Sequence, residues 1–410
     1  MAPFCRHLGV CGGCAAPHLP YAAQLEAKAR AIRTRLAAIT GVDRARLAEP
    51  LFSRSQGLAG EPRHFRQKAS FVFGSGPDRR LVMGHYARSS QAVVPVAECP
   101  VHSARANRLA FALRDHLAKA GLSAAGPGRL AILRHLLIRT SADDQDAIAM
   151  LVVTRNDKAL RAPVRAWLAS DDRPDGLFVN VHAAPGPYMV GRETHHVDGR
   201  SHVRERIGSL VFLVAPTAFF QTNVHAAAEL QAAVLEAVGP ARRVLDLYCG
   251  SGLLSLPLAR QGAQVLGVEE NRQAVADAER NRRFNHVAGS RARFEAGRVE
   301  DVLGSIRDRF DAVILDPPRQ GCAPAVLEAV FHDLAPARAV YVSCNLEALA
   351  LELPAMLRAG YEVAAVRAVD MFPHTDHIET VVTLVRTVAA PGQSARAPGA
   401  DRGGRPRRTR

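Results

Sequence analysis

The chain opens on a set of residues that could bind a metal. Cys5, Cys11 and Cys14 form C-x5-C-G-G-C, and Gly12 and Gly13 let the backbone fold tightly enough to aim neighbouring thiolates at one centre. Three thiolates need a fourth, and Cys99, in E-C-P-V-H, is the only other cysteine before residue 249. The proline after it matches the Cys-Pro ending of some iron–sulfur ligand sets. Zinc also accepts four thiolates, but its structural sites usually come as two close pairs rather than three plus one, so a [4Fe–4S] cluster is the favoured reading.

A second pattern runs from Arg243 to Glu270. The apolar run Val244 to Leu247 meets Tyr248, Gly250 and Gly252, and a helix-compatible stretch follows from Leu253 to Ala259. Strand, glycine turn and helix in that order let a ligand approach bare backbone. A second apolar run ends in Glu269, 23 residues after Asp246, where a carboxylate can grip ribose hydroxyls. The third glycine of a dinucleotide fingerprint is replaced by Ser255, which points to a nucleoside without phosphates, such as S-adenosylmethionine. A G-x-G turn alone is a weak signal, and its neighbours must decide.

Three further motifs carry reactive groups: D-P-P-R (Asp316 to Arg319), S-C-N around Cys344, and H-T-D-H-I-E ending at Glu379. Each sits at the end or start of an apolar run, in a region where runs near 244–247, 265–268, 292–295, 310–315 and 338–343 alternate with helical stretches. That alternation describes a doubly wound parallel sheet, whose ligands lie at the carboxyl ends of the strands. In the methyltransferase form of such a sheet the last strand runs antiparallel beside the fifth, so its start lies at the same edge, which would bring Glu379 near Cys344. A thiol and a carboxylate beside a methyl donor suit C5 of a pyrimidine. That carbon is too poor a nucleophile to take a methyl group directly, but a thiolate adding at C6 makes it enolate-like, and a base must later remove the C5 proton. Cys344 and Glu379 suit those two roles. Cys249 and Cys322 read as core thiols, and His374, Asp376 and His377 as a loop lining an RNA site with no metal role.

The elements that position these groups divide the 410 residues into about two or three domains, and 48% hydrophobic composition makes the chain globular. The expected units are a cluster motif at 1–20 and 95–102, a central α+β RNA-binding domain at 21–215, a Rossmann-like domain at 216–388 and a disordered basic tail at 389–410. The central part should hold a helix over Pro20 to Thr40 stopped at Gly41, a helix over Ser103 to Ala120, strands near 131–140, 147–154 and 176–182, and a hairpin turning at Gly208 and Ser209. Net charge is +14; six arginines against Asp401 put +5 in the tail and leave +9 elsewhere. A spread surplus favours a polyanion, nucleic acid being the natural candidate, although with only four lysines the bias toward arginine has a compositional explanation too. His64, Arg66 and Lys68 in H-F-R-Q-K could hold RNA phosphate or form a solvated face. No apolar stretch is long enough to span a bilayer, so a cytoplasmic protein with no membrane partner is expected.

At F-F-Q-T-N, D-L-Y-C-G-S-G, G-V-E, D-P-P-R, S-C-N and H-x-E-T, in that order, the sequence resembles the RNA uracil-5 methyltransferases that make 5-methyluridine in 23S ribosomal RNA and in tRNA. The match extends to about residue 388. The resemblance implies a class I methyltransferase sheet, Cys344 as nucleophile and Glu379 as proton acceptor. It implies Cys5, Cys11, Cys14 and Cys99 as [4Fe–4S] ligands, and Gln221, Tyr248, Gly250, Gly252, Glu269 and Asp316 around S-adenosylmethionine. Structured RNA is the implied partner, ribosomal RNA preferred and tRNA the alternative, with nothing demanding more than a monomer. Two departures stand out. Ribosomal members often carry an N-terminal TRAM barrel, whereas here the cluster motif begins at residue 5, so the central domain and cluster are expected to hold RNA unaided. Leu253 also replaces a polar residue that contacts the cofactor in some relatives. The weighed rivals are an amino-group methyltransferase, disfavoured because Arg319 follows the prolines instead of a stacking aromatic, and an iron–sulfur RNA-binding protein with an inactive sheet.

Overall fold

The computed structural model describes residues 4–387 except 17, 44–46, 48–50, 54–61, 127 and 185–188, so the expectation for 389–410 lies outside the described residues. After the cysteine segment comes α1 (Tyr21–Ala37), whose Ala29, Ile32 and Leu36 recur at helical spacing and are buried. β1 (Leu51–Ser53) is short. The central sheet then begins with β2 (Lys68–Ser75), β3 (Leu81–Tyr86) and β4 (Val93–Pro95). α2 (Ala104–Lys119) starts at Ser103, whose side chain accepts from the Ala106 N–H, satisfying one amide that the first turn leaves free. β5 (Ser123–Ala124), β6 (Ala131–Thr140), β7 (Ala147–Val153), α3 (Arg161–Leu168), β8 (Gly176–Val181) and β9 (Glu193–Gly199) complete it in the order β4-β3-β2-β6-β7-β8-β9, with β5 beside β6. Leu109, Leu113 and Leu117 of α2 and Trp167 of α3 share its main core with Phe71, Leu136 and Leu151.

The hairpin β10 (Val203–Ile207) and β11 (Leu210–Val214) leads into α4 (Val224–Val238). The second large sheet follows: β12 (Arg243–Leu247), α5 (Ser255–Arg260), β13 (Gln264–Glu269), α6 (Arg272–Phe284), β14 (Ala292–Ala296), α7 (Val299–Leu303), β15 (Ala312–Leu315), α8 (Pro324–Glu328), β16 (Arg338–Ser343), α9 (Leu346–Arg358), β17 (Tyr361–Val369) and β18 (Glu379–Arg386). β12 to β16 are all parallel, β18 runs antiparallel between β16 and β17, and the order is β1-β17-β18-β16-β15-β12-β13-β14. Both faces are covered, as buried parallel strands require. One core joins Leu245, Val313 and Tyr341 to α1, α8 and α9, and the other joins Val244, Ile314 and Val342 to α4 and the hairpin.

This packing redraws the expected division at 215. α1, expected in the central domain, contributes Ile32 and Leu36 to the second sheet's core, and β1 pairs in parallel with β17. The hairpin also packs on that sheet, through Ile207, Leu210 and Phe212. Chain order misled here because segments before and after the central sheet return to the same neighbour. The two sheets meet through hydrogen bonds from Gln67 N–H to the Thr222 carbonyl (2.7 Å) and from Arg139 to the Ala218 carbonyl (2.8 Å). Asp146 adds ion pairs with Arg200 and Arg204.

Candidate active site

Ser343 pairs with Thr380 in the antiparallel ladder of β16 and β18. The next step of that register sets Cys344, just past the end of β16, opposite Glu379, the first residue of β18. Asn345 holds the turn: its N–H donates to Ser343 Oγ (3.1 Å), its side chain accepts from the Glu347 N–H to cap α9, and its amide donates to the Arg319 carbonyl (2.9 Å). Asp316 leaves the end of β15 and donates its N–H to Leu247 at the end of β12 (3.3 Å). Burial pushes the Glu379 carboxyl up to about 7, with Arg319 opposing, and pushes Asp316 up to about 8, with the like charge of Glu379 adding to it. The half-buried Cys344 thiol is raised by burial, Glu379 and Asp316, and lowered by Arg319. Cys344 is thus acted on by all three neighbours, and among the described residues the exposed Arg319 guanidinium is the one cation acting on both Cys344 and Glu379.

The glycine turn has the expected shape. Gly250 and Gly252 have φ of +53° and +87°, and a Cβ on Gly252 would press on Leu256 and Phe294. Glu269 accepts from the Gly250 N–H (3.1 Å) and the Asn271 N–H (2.8 Å), which fixes its carboxylate at the mouth of the turn. Tyr248, at φ +64°, lines a cavity of about 530 Å³ with Arg298, Val299, Pro318 and Cys322. Gly250, Gly252, Glu269 and Asp316 adjoin that cavity in the chain without lining it. Gln221 lies half-buried in the turn before α4, next to Thr222. Phe219, two residues earlier, is 79% exposed.

The four N-terminal cysteines converge. Cys5, Cys11, Cys14 and Cys99 line one cavity of about 220 Å³ with Arg66, His85 and His102. Burial and the other three thiols push Cys14 up to about 12, and burial takes Cys99 to about 11. Backbone N–H groups of His7 and Gly13 point at the Cys5 and Cys11 sulfurs, each at 3.4 Å. Among the described residues, the one trio whose ligand atoms all lie within 4.8 Å is His85, Cys99 and His102. The cysteine sulfurs are thus spread more widely than the spacing of about 3.8 Å that four thiolates take around one zinc. Four thiols around one cavity, with amides aimed at two of the sulfurs, are compatible with a multi-iron cluster, and the His85, Cys99 and His102 trio with a single ion.

The model of the family described as tRNA (uracil-5-)-methyltransferase matches residues 21–387. The chain belongs to this family. It is 36% identical over 386 residues to an uncharacterized RNA methyltransferase of Gloeobacter violaceus, covering 92% of this chain and 81% of the relative. An uncharacterized RNA methyltransferase of Geobacter sulfurreducens is 32% identical over 391 residues, covering 94% and 77%. Among solved structures, the tRNA (uracil-54, C5)-methyltransferase of Pyrococcus abyssi in complex with S-adenosyl-L-homocysteine superposes with a TM-score of 0.77 at 27% identity, over 91% of this chain and 86% of that one.

Against this family background, three features of the site went unread in the sequence. Cys322 is the buried core thiol expected and also borders the 530 Å³ cavity: it adjoins Tyr248 and Tyr341, and its N–H donates to Glu352 of α9 (2.9 Å). Arg298, just after β14, and Glu300, in the first turn of α7, line the 530 Å³ cavity beside a strand end that pattern alone could have flagged. His374 does not line a surface; it is fully buried. In H-F-R-Q-K, Arg66 turns to the cysteine cavity and the ring of His64 bonds the His102 carbonyl (2.7 Å), which leaves Lys68 beside Arg139. Among the described residues no helix is long and apolar enough to cross a membrane.

Proposed function

We propose that the chain methylates uracil C5 in RNA, that Cys344 is the nucleophile and Glu379 the base, and that 23S ribosomal RNA is the substrate. One observation carries the reading: the register that pairs Ser343 with Thr380 and so brings Cys344 beside Glu379, with Arg319 acting on both and Asp316 acting on Cys344. The Cys344 thiol must lose its proton to react, and Arg319 is the neighbour that favours the thiolate. Its sulfur then bonds to C6 of the uracil, and the electrons of the C5–C6 double bond move to C5 and O4. S-adenosylmethionine supplies the electrophilic methyl group that C5 takes. Glu379 next removes the proton from C5, the C5–C6 double bond re-forms, and Cys344 departs as a thiolate. A carboxyl that titrates near 7 suits this step, because it is a strong enough base when ionised and is ionised in a useful fraction at neutral pH.

Gln221, Tyr248, Gly250, Gly252, Glu269 and Asp316 are assigned to the cofactor, with Glu269 toward the ribose. Cys5, Cys11, Cys14 and Cys99 would hold a [4Fe–4S] cluster, and the central sheet would bind the RNA. The cysteine set favours ribosomal RNA through the resemblance. The Pyrococcus abyssi structure, of a tRNA enzyme, favours a second reading in which the target is tRNA. The test is S-adenosylmethionine-dependent release of tritium from uracil C5, run separately on unmodified 23S ribosomal RNA and tRNA, with Cys344→Ala as control. Release from ribosomal RNA alone, lost in the variant, is expected. Release from tRNA alone moves the substrate, and none from either overturns the reaction.

A further inference from the structure

His374 joins three parts of the chain that are distant in sequence. Its carbonyl accepts from the N–H groups of Ala15 and Ala16, directly after Cys14, both at 2.9 Å. Its ring Nε2 faces the Pro62 carbonyl at 2.8 Å; a carbonyl can only accept, so Nε2 carries the proton and Nδ1 is the acceptor. Gln24 of α1 completes the match, with Nε2 3.2 Å from His374 Nδ1 and Oε1 accepting from the His374 N–H at 2.8 Å. The Phe4 ring, one residue before Cys5, lies 4.0 Å from the imidazole. His374 takes up φ +66°, a left-handed conformation costly for a side chain with a Cβ and held here by its partners.

One helical turn after Gln24, Lys28 donates to Asp370 (2.7 Å) and to the Phe372 carbonyl (3.1 Å). α1 thus grips both the start and the middle of the loop 370–378, which ends at Glu379. Toward Cys344, by contrast, α1 offers the exposed Arg35–Glu347 ion pair, and the turn at Cys344 itself is fixed by Ser343, Asn345 and Arg319.

We propose that His374 is a positioning residue that transmits the state of the four-cysteine segment to Glu379, so that loss of the cluster impairs proton removal while leaving thiol addition intact. This rests on the reaction proposed above. Cys14 is followed immediately by the two amides that hold His374, so a segment released from its metal centre lets go of the loop leading to the carboxylate. The consequence is an enzyme arrested after methyl transfer, with Cys344 still bonded to C6 and the proton still on C5.

The experiment compares wild-type holoenzyme, the same protein after chelation of its iron, and the variants Gln24→Ala and His374→Ala. Two readouts are taken: hydrogen exchange across residues 370–379, and the covalent RNA–protein adduct against tritium release from C5. Chelation and Gln24→Ala are each expected to speed exchange in 370–379 and to slow tritium release by about tenfold, the scale of one or two lost hydrogen bonds, while adduct accumulates. His374→Ala should do the same more strongly; if it fails to fold, Gln24→Ala carries the test. Faster exchange confined to residues 4–16 after chelation, or adduct formation and release falling together in folded protein, overturns the proposal. A wild-type protein that forms no adduct sinks the reaction itself, and exchange in 370–379 still reports on the link.

Discussion

Arg319 draws its importance from where it stands, not from its place in the D-P-P-R motif. Among the described residues it is the one cation acting on both Cys344 and Glu379, and its effect on each is to favour the ionised form. Both ionised forms are the reactive ones in the proposed reaction. Glu379 starts from a carboxyl that burial has raised to about 7, so the rate should rise through neutral pH as that proton is lost. Removing the cation raises the affinity of both groups for protons. Arg319→Gln is therefore expected to move the acid limb of the pH–rate profile upward and to lower the rate at pH 7 on the order of tenfold, with recovery at higher pH. Single-turnover tritium release across pH checks this. A lower plateau with an unmoved limb would mean that Arg319 acts on the RNA instead. The sequence offered Arg319 only as a sign against a stacking aromatic, because a motif gives the residue type at a strand end but not which neighbouring strands its charge reaches.

The elements that carry the site were legible where local pattern and burial agree. β12, β13, β15 and β16 are apolar runs buried on both faces, and their reactive residues follow directly at the ends. β9, E-T-H-H-V-D-G, is a mostly exposed edge strand with no apolar alternation, and β1 has three residues, so neither leaves a readable signal. Helix α9 hides another contribution, since its Glu352 faces inward only because the loop after β15 returns over it. Glu352 accepts from the Tyr341 hydroxyl (2.5 Å) and from the Cys322 N–H, and Cys322 borders Tyr248 and Pro318 in the 530 Å³ cavity. Glu352→Ala leaves two donors without their acceptor and frees the wall of the cavity, at a cost of about 1–3 kcal/mol for each group. The expected outcome is weakened S-adenosylmethionine binding by calorimetry, with formation of the Cys344–RNA adduct in the absence of cofactor changed little. Equal loss of both would show that α9 supports the whole strand edge and not the cavity in particular.

Across the whole molecule, the seam between the two sheets sets two cations, Lys68 and Arg139, side by side. Lys68 pairs across β2 and β6 with Arg139, which bonds the Ala218 carbonyl beside the exposed Phe219. Burial lowers Lys68 to about 8, and the cations Arg139 and Arg66 add to the effect. In the free protein the folded state therefore binds this proton less tightly than the unfolded chain does. Stability should rise with pH between about 8 and the ordinary lysine value near 10.5, as the unfolded chain alone keeps the proton. RNA phosphate at the seam reverses the preference, because an anion stabilises the charged ammonium. Affinity for RNA should then fall over the same window in which the free protein gains stability, a pair of opposite trends that general loosening of the fold cannot produce. Lys68→Met is expected to flatten both trends and to reduce the slope of log affinity against log salt by about one phosphate contact. Filter binding across pH and salt, with thermal unfolding of the free protein alongside, measures all three. An unchanged salt slope with weaker catalysis would remove Lys68 from the RNA path and leave it as a half-buried cation whose cost the fold simply carries.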